Sequence, residues 1–297
     1  MDLKQPLTFT EQVKRLRDHG MIIDDESEAK SILTTCSYYR LTGYALQYRL
    51  APTDSNYRQG TDFHTIIKLI EFDARLRGVL LGYLEQAEVY YRTQVSYGFA
   101  IMKCTAPPYD QHYDRNNYHN KDSFDDVMAD FQKQKGYYKD SLIMKHHKKK
   151  YSGKMPLWVI VEMLSFSDLS KLYSSMYISE QDAIAQSVGT GRDVLKNHLH
   201  CLSVLRNKCA HSARLYNTVF NPPVKLPDTF LRTFKTVKND TLFSYILALI
   251  KRLPDDKSKL AMIDDVDKVI QEYAAYLDCS LIGFPERYKD ILVLNRG

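Results

Sequence analysis

The chain has 297 residues, enough for one large domain or two small ones around a substantial buried core. Its composition, 44% hydrophobic and 26% charged with 12 Gly and 10 Pro, excludes a disordered, collagenous or low-complexity protein. A net charge of +5 permits a nucleic-acid partner without the strong basicity of a dedicated nucleic-acid domain.

The N-terminal stretch has no apolar leader, and no apolar run reaches the ~20 residues needed to cross a bilayer. Five scattered cysteines lack the close spacing of a zinc site, so reduced thiols, a cytoplasmic location and no membrane partner are expected. Tyrosine is abundant, with 22 copies against a single Trp. Its ring fills half-buried packing positions and can also stack on bases.

In chain order, the first predicted helix covers Thr8–His19, with Thr8 or Thr10 as N-cap and Gly20 as its stop signal. A second short helix follows over Ser27–Thr35. Tyr38–Tyr44 is expected as a tyrosine-rich turn region or packing corner. The longest helical pattern runs from Asp62 to Met102: Leu69, Leu76, Leu80, Leu84, Ala87, Tyr91 and Val95 recur at spacings of three, four or seven. Gly78 and Gly82 within it are expected to permit close helix contact. Pro107 and Pro108 end the segment, and residues 109–123 are expected to form a loop.

A helix over Ser123–Gln134 leads into the basic run containing Lys145, Lys148, Lys149 and Lys150. That run is either a solvated linker or a phosphate-contacting loop, since lysines beside a nucleic-acid backbone release counterions. Leu157–Tyr173 is expected as a continuous apolar helix carrying Glu162. Asp193–Ser212 is the next helix, followed by a proline-punctuated loop at Pro222, Pro223 and Pro227. Helices near Asp240–Arg252 and Ser258–Leu277 close the chain. The expected fold class is all-α. The chain is expected to form one helical unit with an N-terminal segment (1–60), a core (61–217) and C-terminal helices (218–297).

Chemistry concentrates in Asp193–Ser212. Leu195, Leu199, Leu202, Leu205 and Cys209 form its buried stripe, and at 100° per residue Arg206 falls roughly 20° from Leu195. A guanidinium inside an apolar stripe needs a partner or a wet cleft, and Glu88 or Glu162 could be that partner. Asn207 and His211 lie on the flank. A histidine can accept the proton of a ribose 2′-hydroxyl or protonate the leaving 5′-oxygen, and an arginine fork can stabilise a phosphorane. Spacing alone discriminates poorly, because Arg58–His64 and Arg192–His198 have similar separations. A histidine near a helix end can equally be a structural hydrogen-bonder.

Context separates the three pairs. Arg206-Asn207-Lys208-Cys209-Ala210-His211, continued by Ser212–Asn217, resembles the signature of the Abi-type (abortive infection) family, within the HEPN superfamily of helical RNA-processing domains. Tyr38–Tyr44, Phe72–Arg77 with Glu85–Arg92, Met155–Glu162 and Ile282–Pro285 resemble other blocks of that family in the same order. Ser167 stands where the family pattern leads one to expect a glycine.

The resemblance implies an all-α HEPN-like helical bundle with additional N- and C-terminal helices. It implies an Arg-x4-His site of Arg206 and His211, with Asn207 beside them, acting in metal-independent RNA cleavage as a phage-defence toxin. Glu88, Arg92 and Glu162 would support that site; Lys145, Lys148, Lys149, Lys150 and Arg214 would contact RNA. No metal or cofactor is implied. The expected partners are RNA, a second copy in a homodimer, and a structured small RNA or antitoxin. A non-catalytic RNA-binding module is the alternative.

Overall fold

The computed structural model describes residues 5–295. Residues 1–4, part of the stretch expected to lack a leader, lie outside the described residues.

The first helix, α1 (Phe9–Asp18), starts at Thr8, whose hydroxyl accepts the Glu11 N–H while the Glu11 carboxylate accepts the Thr8 N–H. It stops at Gly20, whose φ of +89° suits a residue without a Cβ. In α2 (Glu26–Thr35) the cap is Asp25, which accepts the Ser27 and Glu28 N–H groups, so the helix starts ahead of Ser27. Tyr38–Tyr44 is a helix, α3, rather than a turn, capped by Ser37.

α4 (Phe63–Lys103) spans 41 residues, and every position of its expected stripe is buried. Gly78 and Gly82 are not its points of close approach, because a Cβ at either would meet nothing within 4 Å. Gly98 is such a point: a Cβ there would stand 2.5 Å from Ile184 Cγ1. After short 3₁₀ turns, α5 (Lys121–Tyr137) begins at the Asn120 cap. The lysine run lies on a helix, α6 (Leu142–Tyr151), capped by Ser141, and is therefore not a loop.

The apolar segment expected as one helix is broken. α7 (Leu157–Ile160) passes into a 3₁₀ turn at Val161–Met163, and α8 (Phe166–Ser175) restarts at the Ser165 cap with a reciprocal Asp168 contact. α9 (Ile178–Ser187), α10 (Arg192–Ala210), α11 (Asp228–Thr233), α12 (Leu242–Arg252), α13 (Asp256–Glu272) and α14 (Tyr288–Asn295) complete the chain.

The described residues are thus all-α: fourteen helices, with only isolated bridges such as Ile22–Asp62 and no strand. α4 lies at the centre, with α3, α7, α8, α9, α10, α12 and α13 packed on it. α10 packs in turn on α8, α9 and α12, so the helix bearing Arg206 is clamped between the long central helix and its neighbours. All five cysteines are free. No helix among the described residues is long and apolar enough to cross a membrane.

Candidate functional site

The stripe Leu195, Leu199, Leu202, Leu205 and Cys209 is buried, which fixes the rotation of α10. Arg206 does not lie within it. Its side chain is 37% exposed and reaches a groove of about 370 Å³ lined by Glu85, Glu88, Val89 and Arg92 of α4 with Ala210 of α10. Angular placement located the Cα near the stripe; the long stem then carries the charged head to the edge, where it stays hydrated.

The partner expected for Arg206 is present on α4. Arg206 Nε stands 3.7 Å from Glu88 Oε2, while Arg92 Nη2 donates to Glu88 Oε1 at 2.6 Å. Burial pushes the Glu88 carboxyl above the usual carboxylate range, and the Arg92 and Arg206 guanidinium groups pull against it. Arg92 also donates to the Leu164 carbonyl at 2.7 Å, tying the break between α7 and α8 to α4. Glu162, the other expected partner of Arg206, instead stands 3.8 Å from Arg92 Nη1 with its own side chain 53% exposed. Arg206 Nη1 donates to Asn207 Oδ1 at 3.5 Å, and Nη2 has no partner among the described residues.

Asn207, beside Arg206, donates its side-chain amide to Ser167 Oγ at 3.2 Å. Ser167 replaces the expected glycine, and its hydroxyl supplies an acceptor that glycine lacks. His211 is the C-cap of α10. Its backbone N–H bonds to the Asn207 carbonyl at 3.0 Å, while its ring is exposed and has no protein partner among the described residues.

The turn after His211 is held from a distance. Ser212 adopts φ +54°, a left-handed position usually filled by glycine, while the Ser212 and Ala213 N–H groups close back onto Cys209 and Lys208. Arg40 of α3 donates to the Ser212 carbonyl at 2.8 Å, and Arg77 of α4 to the Ala213 carbonyl at 3.0 Å. Asp73, fully buried, accepts the Leu215 N–H at 2.7 Å, the Tyr216 N–H at 3.0 Å and the Tyr44 hydroxyl at 2.7 Å. Burial raises the Asp73 carboxyl, with these donors and Arg77 opposing it. Arg40, Asp73 and Arg77 were not among the expected site residues. Their only sequence signal was membership of the tyrosine-rich and Phe72–Arg77 blocks.

The expected RNA-contacting residues divide. Arg214 donates to the Gly43 carbonyl and lies over the Tyr44 ring, so it packs the turn onto α3. Lys145, Lys148, Lys149 and Lys150 are exposed on α6; among the described residues none makes an ion pair, and Lys150 lies over the Tyr151 ring. Lys148 lines a cavity with Tyr113, Lys135 and Lys154, which differs from the groove that Arg206 lines with Glu88 and Arg92. The histidines of the two similarly spaced pairs serve packing: His198 is buried against the Lys225 carbonyl, and the His64 ring meets Tyr276 edge-on. Among the described residues, no group of three or more His, Cys, Asp or Glu side chains is placed to hold a metal ion.

Neither a curated protein nor a solved structure matches the chain. A family profile described as Abi-like protein matches residues 31–217, from α2 through the Arg206–His211 segment to the Asp73-anchored turn. The match covers more than half of the sequence and every residue of the Arg206 groove, and on this ground the chain belongs to the Abi-like protein family.

Proposed function

We propose that this protein is a HEPN-type endoribonuclease acting in abortive-infection phage defence, with Arg206 and His211 as its catalytic pair. One observation carries the reading: a guanidinium held at a groove by Glu88, with Nη2 unengaged, shares a helix with an exposed, unpartnered histidine cap. Family membership supports the biological setting.

In this mechanism the His211 imidazole accepts the 2′-hydroxyl proton of RNA, and the 2′-oxygen attacks phosphorus. The P–O5′ bond breaks and the protonated His211 returns that proton to the leaving 5′-oxygen, giving a 2′,3′-cyclic phosphate and a 5′-hydroxyl. Arg206 stabilises the charge on the phosphorane. Asn207, braced on Ser167, orients the end of the helix. Both functional groups are side chains, so the reaction needs no metal. One Arg and one His make a sparse site, and a homodimer that brings two such sites together is part of the proposal. Expression in bacteria is expected to arrest growth, and Arg206→Ala or His211→Ala to relieve the arrest at equal protein level. Arrest retained by both variants contradicts the reading.

The four exposed α6 lysines, without an ion pair among the described residues, favour a second reading, in which the chain holds a structured RNA without cutting it. In that case RNA co-purifies intact, and substituting these lysines lowers both affinity and its salt dependence.

A further inference from the structure

The N-terminal helices enclose a second cavity, of about 380 Å³, outside the Arg206 groove. Arg15 of α1, Tyr38 and Tyr39 of α3, and Arg49, Tyr57 and His19 line it. Neither Arg15 nor Arg49 forms an ion pair with a carboxylate among the described residues. Arg49 Nε is buried with no acceptor, a costly arrangement unless something else fills the role. Tyr38 lies close enough to both guanidinium groups that each opposes the upward push of burial on its phenol. Tyr39, 88% exposed, offers an open ring face at the rim.

Two uncompensated guanidinium forks facing one cavity match the oxygens of a phosphate, and an exposed tyrosine beside them matches the flat face of a base. The volume lies in the range of small-ligand sites. We infer that this cavity binds the phosphate of a nucleotide, with Arg15 and Arg49 on the phosphate and Tyr39 against the base. Its source is either a free nucleotide or the 5′-phosphorylated end of an RNA strand. The inference does not depend on RNA cleavage. The cavity is nonetheless joined to the other site through α3: Tyr38 and Tyr39 line it, while Arg40 and Gly43 of the same helix hold the turn after His211.

Calorimetric titration of the full chain carrying His211→Ala, which removes the proposed cleavage activity, tests this directly. The probes are adenosine 5′-monophosphate, a 5′-phosphorylated RNA hexamer, the unphosphorylated form of each, and inorganic phosphate. Saturable binding is expected for at least one phosphorylated probe and its loss without the 5′-phosphate; whichever probe binds identifies the source. Arg15→Ala and Arg49→Ala should each weaken binding roughly tenfold. Tyr39→Ala should weaken the nucleotide probe and spare inorganic phosphate. If Arg49→Ala fails to fold, the exposed Arg15 and Tyr39 variants carry the test. No saturable binding, or unchanged affinity in Arg15→Ala, overturns the inference.

Discussion

The carboxylate of Asp73, on the central helix, accepts the backbone N–H of Leu215 at 2.7 Å across 142 residues of sequence. It also accepts from Tyr216 and Tyr44, so one buried side chain fixes the turn that follows the Arg206–His211 helix. Asp73→Ala leaves these donors without an acceptor in the core. A loss of about 3 kcal/mol in unfolding free energy is expected by denaturant titration, with a smaller loss for Asp73→Asn, which keeps a carbonyl oxygen. A change below about 0.5 kcal/mol for Asp73→Ala would show that the turn is held by other means.

The two kinds of glycine in α4 should respond oppositely to alanine. Gly78→Ala adds a methyl where nothing lies within 4 Å and removes backbone entropy from the unfolded chain, for a gain of about 0.5–1 kcal/mol. Gly98→Ala drives a Cβ to 2.5 Å from Ile184 Cγ1, for a loss of about 1–3 kcal/mol. Thermal unfolding of the two variants separates these outcomes, and shifts of the same sign would contradict the packing of α9 on α4.

Two buried histidines set a direction for acid sensitivity. Burial holds His112 down to about 4 and His198 down to about 3, against an ordinary value of 6.5. Well above pH 6.5 both are neutral whether the chain is folded or unfolded, so they add no pH dependence there. As pH falls from 6.5 towards 4, the unfolded chain takes up protons that the folded chain refuses. Stability is then lost at about 1.4 kcal/mol per pH unit for each histidine. His112→Gln or His198→Gln should flatten the dependence of unfolding free energy on pH between 6.5 and 4. An unchanged slope in both variants would place the acid sensitivity elsewhere.

Legibility in the sequence followed the range of the interactions. α4 was readable because its apolar residues keep helical spacing over many turns, and the buried stripe of α10 for the same reason. Tyr38–Tyr44 and the lysine run lack an apolar period and so read as a turn and as a linker or loop, although Ser37 and Ser141 cap helices there. The 157–173 segment failed in the opposite way: its continuous apolar character concealed the break at Val161–Ser165. At the candidate site, Arg206, Asn207 and His211 were visible as residue types in one helix, and Glu88 as a possible partner. Arg40, Asp73 and Arg77 act on residues more than a hundred positions away, and no local pattern encodes that. Ser167, noted only as a missing glycine, proved to be the acceptor for Asn207.

Whether Arg206 and His211 cleave RNA is decided by incubating RNA with the purified chain in excess EDTA. Fragments ending in 2′,3′-cyclic phosphate are expected. The rate should fall at least about a hundredfold in Arg206→Ala and His211→Ala, at melting temperatures matching the parent chain. RNA left intact by the parent chain, or cut equally fast by both variants, would contradict this role.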